Sequence, residues 1–205
     1  MDLINELNQA HRELLDGKRK TIVLRRRYDA EVEDVWEACT DAERLGRWFL
    51  PVSGDLRLGG TYQLENNAGG EILRCEPPRL FKVTWLFGPE PGFSEVEVRL
   101  SAEDDGTLLE LRHEAEVPPE MWSQFGPGAV GVGWDLSLLG LALHLSGGAR
   151  VDENTFHQTA EGRSFLTASS AAWGQAFQAA GAPADDAGAA VAATTAFYAP
   201  EGDGQ

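Results

Sequence analysis

Four histidines, His11, His113, His144 and His157, are the side chains best suited to move a proton near neutral pH or to hold a metal. No pair of them has HxH or HExxH spacing and no cysteine joins them, so the sequence predicts no metal site. His113 differs from the rest. It belongs to the run Leu109, Leu111, His113, Ala115, which alternates with Glu110, Arg112 and Glu114, so strand parity turns its imidazole toward the apolar side. A histidine so placed either orients a ligand and exchanges protons with it, or is tied to a backbone carbonyl as part of the wall. His144 lies beside an apolar helical stripe, where it shares the interior with His113 or flanks the sheet rim. Arg74, if it faces inward, calls for an anionic head group, because an unpaired buried guanidinium is costly.

Other chemistries lack their residues. Ser53-Gly54 and Ser146-Gly147-Gly148 do not make the Gly-x-Ser-x-Gly elbow of a serine nucleophile. Gly126-x-Gly128 and Gly131-x-Gly133 follow no strand and open no nucleotide loop, so neither a phosphate site nor a dinucleotide cofactor is expected. The carboxylates Asp41 and Glu43 sit at a predicted helix start, and Asp104 and Asp105 in a turn, where structure alone accounts for them. No catalytic residue and no cofactor is assigned.

The net charge of -16 excludes a nucleic-acid partner, which needs a basic face, and docking on an anionic membrane. The longest apolar stretch, Leu136 to Leu145, is short of the roughly 20 residues of a membrane span. No basic start precedes an apolar run, so a cytoplasmic protein is expected. Cys39 and Cys75 belong to no ligand cluster and read as small buried apolar residues.

These residues need a scaffold, and the hydrophobic periodicity supplies one. Residues 2–15 space Leu3, Leu7, Ala10 and Leu14 as an amphipathic helix, so 1–20 reads as a helical lead-in. A strand over 21–28 follows. Helix 31–40 places Val32, Val35, Trp36 and Cys39 on one face, and a second short helix, with Thr40 as its expected N-cap, carries Leu45, Trp48 and Phe49 up to Pro51. From 52 to 117 alternating strands separated by Gly, Asn, Pro and Asp turns predict six antiparallel strands, the first over 55–58. Parity sets Phe81, Val83, Trp85 and Phe87 on one face, and Val96, Val98 and Leu100 on another, leaving His113 as the one polar residue inside. Trp134, Leu138, Leu141 and Leu145 form the last long helix, ended by Gly147-Gly148. Four glycines before it predict a loop over 121–133, where a gate would sit. Residues 151–199 are Ala-rich, with Phe165, Ser169, Trp173 and Phe177 on one helix and Ala187, Val191, Thr194 and Tyr198 on another. This extension is expected to pack on the body or on a second subunit, and 200–205 to be disordered.

The order β-α-α-β6-α is accompanied by Val35-Trp36, Thr40-Asp41, Arg47-Trp48-Phe49 and Gly59-Gly60-Thr61-Tyr62. Trp85, the Asp105-Gly106-Thr107 turn into Leu109-Glu110-Leu111, His113 and Gly133-Trp134 complete the pattern. Together they resemble the START-like, or SRPBCC helix-grip, superfamily, and within it the bacterial branch of the activator of heat-shock protein 90 ATPase homologue-like family, over about residues 21–145. The resemblance implies an α+β helix-grip domain over 21–148, with a curved antiparallel sheet wrapped around a long helix and an apolar cavity between them. With strand parity it marks Trp48, Tyr62, Phe81, Val83, Trp85, Phe87, Val98, Leu111, His113, Trp134, Leu138 and Leu141 as the cavity wall. The expected function is binding of a small hydrophobic molecule. A chaperone-associated interaction module and a polyketide cyclase-like enzyme with His113 as its acid–base group are the alternatives, and a homodimer stays open.

Overall fold

The computed structural model describes residues 2–15, 17–89 and 92–200, with the side chains of Glu153 and Asn154 left aside. Of residues 200–205, expected to be disordered, Pro200 is described and exposed, and Glu201–Gln205 lie outside that range. The chain begins with a helix, α1 (Leu3–Asn8), and an edge strand, β1 (His11–Leu15). There follow β2 (Lys20–Tyr28), α2 (Val32–Thr40), α3 (Ala42–Trp48), β3 (Val52–Gly54), β4 (Thr61–Leu64), β5 (Gly69–Glu76), β6 (Leu80–Thr84), β7 (Ser94–Glu103) and β8 (Gly106–Ala115). All eight strands join one antiparallel sheet in the order β1-β2-β8-β7-β6-β5-β4-β3. Closing the chain are α4 (Pro119–Phe125), α5 (Gly128–Leu145), the short α6 (Glu153–Phe156), α7 (Ala160–Ala179) and α8 (Ala184–Tyr198).

The register explains the inner face. His113 stands opposite Ile22 and Val96, and Leu111 opposite Leu24 and Val98, so these side chains share one side of the pleat. Cross-strand parity also turns Arg26, opposite Leu109, inward, so His113 is not the one polar residue there. Only 5% exposed, Arg26 is ion-paired to Glu6 and donates to the Glu6 carbonyl at 3.2 Å, so α1 supplies its counter-charge.

Three elements of the sequence reading differ in the structure. Residues 2–15 are not one helix: α1 stops at Asn8 and His11–Leu15 pairs with β2. There Arg12 donates to the carbonyls of Leu7 (2.9 Å) and Ala10 (2.9 Å), which ties the start of the strand back to the end of the helix. Residues 121–133 are not a loop but the two helices α4 and the start of α5, parted at Gly126, whose φ of 54° is a left-handed break. The glycines of α5 are tolerated because neighbours need their space: a Cβ on Gly128 would lie 2.6 Å from Thr194 Oγ1, and one on Gly131 would lie 2.2 Å from the nearest atom of the Trp173 indole. Asp55–Leu58 is irregular, and the edge strand is Val52–Gly54 instead.

Helices α7 and α8 occur where the Phe165–Phe177 and Ala187–Tyr198 patterns place them. They cover the side of α5 that faces away from the sheet, with Phe165 and Trp173 at 0% exposure. Through its extra turns α5 becomes the one helix among the described residues that is long and apolar enough to cross a membrane; here more than half of it is buried as the core helix. Asp135 is the polar exception at its centre.

Candidate functional site

Between the inner face of the sheet and α5 lies a cavity of about 170 Å³. Its floor comes from the strands, where alternation stacks Phe81 and Val83 of β6, Val96 and Val98 of β7, and Leu109 and Leu111 of β8. Its roof is one stripe of α5, Trp134, Ser137, Leu138 and Leu141. Tyr62, Leu64, Ile72 and Cys75 close one side, and Trp85 the end of β6. The remaining wall is Cys39 and Thr40 of α2 with Leu45, Trp48 and Phe49 around α3. Exposure grades from floor to rim: Val96 and Leu109 are each 2% exposed, Leu45, Phe49 and Val52 are half-buried, and Leu56 is 40% exposed. The mouth therefore lies between α3 and the irregular segment after β3, not at the segment 121–133 where a gate was expected.

Ten of the predicted wall residues line this space: Trp48, Tyr62, Phe81, Val83, Trp85, Val98, Leu111, Trp134, Leu138 and Leu141. Phe87 does not, and is 68% exposed. Strand β6 ends at Thr84; past it the Trp85 N–H still bonds the Ser94 carbonyl (2.8 Å) and an isolated bridge joins Leu86 to Gly69, but the regular ladder has stopped, so the alternation that put Phe87 inside has lapsed. His113 is 7% exposed but sits behind the wall. Trp134 Nε1 donates to its Nδ1 (3.0 Å), and its Nε2 lies 2.8 Å from Ser94 Oγ. An indole N–H can only donate, so Nδ1 is the bare nitrogen and Nε2 carries the proton toward Ser94. Burial pulls its pKa down to about 4, which keeps the ring neutral. The imidazole also meets the rings of Trp134 (5.8 Å) and Trp85 (6.4 Å) edge-on, and those two indoles are 5.0 Å apart. His113 thus fixes the orientation of a wall tryptophan.

The other candidates fall outside the cavity. Arg74 is exposed and paired to Glu76 at 2.6 Å, so no buried anion site forms around it. His144 flanks the rim, 3.4 Å from the Arg44 guanidinium, and burial together with that charge lowers its pKa. Among the described residues no group of His, Cys, Asp and Glu is arranged to hold a metal. Both cysteines line the cavity, and burial pushes the Cys39 thiol up to about 12. Cys39, on the apolar face of α2, and Val96 and Leu109, by strand parity, were legible as inward but were not picked out as wall. Leu45 and Phe49 belong to the apolar face that the spacing assigns to the short helix carrying Trp48, whereas Leu56 lies in an irregular segment that no period describes.

Polar atoms of the wall are nearly all committed within the protein. Thr40 Oγ1 donates to the Trp36 carbonyl (2.8 Å), Ser137 Oγ to Gly133 (2.9 Å), Tyr62 Oη to Thr84 (2.7 Å) and Trp48 Nε1 to Ala38 (2.9 Å). On α3 the N-cap is Asp41, which accepts from the Arg44 N–H at 2.8 Å; Thr40, the expected cap, is occupied as above.

A curved antiparallel sheet gripping a long helix over an apolar hollow defines a helix-grip, START-like domain. The profile described as Activator of Hsp90 ATPase homolog 1-like protein matches residues 29–146, and the chain belongs to that family. Its structure is similar to that of CalU16 from Micromonospora echinospora. The crystal structure of CalU16 aligns at 40% identity and a TM-score of 0.64, over 82% of this chain and 94% of that one. The solution structure of CalU16 aligns at 39% identity and a TM-score of 0.69, over 83% and 96%. Protein MLL2253 from Mesorhizobium loti shares the fold at 20% identity and a TM-score of 0.55, over 62% and 97%. No curated protein sequence is significantly similar to the chain.

Proposed function

We propose that this protein binds a small hydrophobic molecule in the cavity between the sheet and α5. One observation carries the reading: a hollow of about 170 Å³, walled by aliphatic and aromatic side chains, with half-buried residues at its rim. A cavity of roughly 150 Å³ lined by apolar residues is enough to take up benzene. The size suits a molecule of one or two rings, with any larger part projecting through the mouth. The engagement of both His113 nitrogens supports a binding role over acid–base catalysis at this site. Native mass spectrometry of freshly purified protein, with naphthalene titrated into stripped protein, tests the proposal. Retention of a small apolar molecule or saturable naphthalene uptake is expected, abolished by Leu45→Trp at the rim. Stripped protein that binds no naphthalene, or a Leu45→Trp variant that binds it unchanged, overturns the reading.

A further inference from the structure

Among the described residues the lining holds no Asp, Glu, Lys, Arg or His. Every hydroxyl in it, on Thr40, Tyr62 and Ser137, donates its proton to a backbone carbonyl, so each offers a guest only an oxygen lone pair. Of the three wall indoles, Trp48 and Trp134 donate to Ala38 and to His113. Arginines on the elements that form the mouth are already paired: Arg44 with Asp34 and Glu37, Arg47 with Glu43, Arg57 with Asp55. Around the whole lies a net charge of -16, which repels anions at a distance.

Resting on the cavity reading above, we infer that the site selects its guest by charge state: it takes neutral aromatic molecules, favours those that bring their own O–H or N–H donor, and rejects carboxylates. The physical reason is one of unmatched partners. A carboxylate needs strong donors or a cation, and the wall has spent its hydroxyl protons and two of its three indole N–H groups; an ionised group buried there without a partner takes up a proton rather than enter charged. A phenolic O–H, by contrast, meets hydroxyl oxygens with lone pairs to spare. An acidic guest therefore enters only as its protonated fraction, and its apparent affinity follows that fraction.

Isothermal titration calorimetry of the full chain with naphthalene, 1-naphthol and 1-naphthoate, three probes of one ring system, tests this. At pH 7.5, 1-naphthol should bind at least as tightly as naphthalene, and 1-naphthoate more than about 1,000-fold more weakly or not measurably, since a carboxyl with a pKa of ~4 is almost wholly ionised there. Between pH 7.5 and 6.5 any 1-naphthoate binding should strengthen about tenfold while 1-naphthol stays level. If 1-naphthoate binds at pH 7.5 as well as 1-naphthol and shows no pH slope, the charge selection is wrong while the cavity reading stands. If 1-naphthol binds far more weakly than naphthalene, the donor preference is wrong. If none of the three binds, the cavity reading itself falls and this inference with it.

Discussion

Asp135 is the residue on which the structure makes its sharpest quantitative claim. It sits near the middle of the apolar helix α5 at 2% exposure, and three side chains converge on its carboxylate. Arg12 of β1 contacts both oxygens through Nε (3.1 and 3.0 Å) and Oδ1 through Nη2 (2.9 Å). Ser169 Oγ (2.5 Å) and Trp173 Nε1 (3.0 Å) of α7 donate to Oδ2. The side chains of Arg12 and Asp135 are 8% and 1% exposed, so the pair is buried, and breaking it from one side strands a charge. Asp135→Leu should therefore lower stability by ~3–5 kcal/mol, a fall in Tm on the order of 10 °C for a chain of this size. Arg12→Met should be milder. Burial pushes the pKa of Asp135 up against the pull of Arg12, Ser169 and Trp173, so without Arg12 the carboxyl sheds its charge by taking a proton. Replacing both should recover much of the loss, giving a coupling of at least ~2 kcal/mol in a double-mutant cycle measured by urea unfolding. Two effects that add to within ~0.5 kcal/mol would refute the reasoning, because independent sites behave that way.

Two further expectations follow from the same packing. With its pKa pulled from 6.5 down to about 4, His113 is neutral in the folded chain while the unfolded chain takes up a proton. Stability should fall as pH drops from 6.5 to 4, by ~3 kcal/mol in all, and then level. Urea unfolding across that range should show a shallower acid slope for His113→Leu, whatever its loss at neutral pH; an unchanged slope would mean that His113 is not the titrating group. Gly131→Ala should displace the Trp173 indole, since the added methyl would stand 2.2 Å from its nearest atom, and cost ~1–3 kcal/mol in urea with a changed near-ultraviolet tryptophan signal. Wild-type stability and spectrum in that variant would show that α5 and α7 are not packed so closely.

Much of the sheet was legible because strand burial is a local pattern: Phe81, Val83, Val96, Val98, Leu109 and Leu111 alternate in the chain and share one face in space. The same was true of the C-terminal helices, whose aromatic spacing survives intact in α7 and α8. What stayed hidden depends on partners remote in the chain. The strand β1 exists because β2 offers it an edge and because Arg12 reaches a carboxylate 123 positions away. Within residues 2–15 nothing announces that carboxylate, and the leucine spacing fits a helix equally well. The site was legible to the same extent and for the same reason: its floor is strand parity, while its mouth is made where α3 meets an irregular segment that no period describes.

The glycines of α5 show how such a reading inverts once the neighbours are known. In isolation Gly128, Gly131 and Gly133 weaken a helix, and they argued for a loop. Against Trp173 and Thr194 the first two are what permits the helix to approach, since at both positions a side chain would occupy volume already taken. This also accounts for why α5 is apolar around its circumference instead of along a stripe. Trp134, Leu138 and Leu141 face the cavity, while Gly131, Val132 and Asp135 are buried on the same helix and Asp135 is bonded to α7. A helix clamped on one side by close contact and a buried ion pair can leave a hollow on the other without sagging into it.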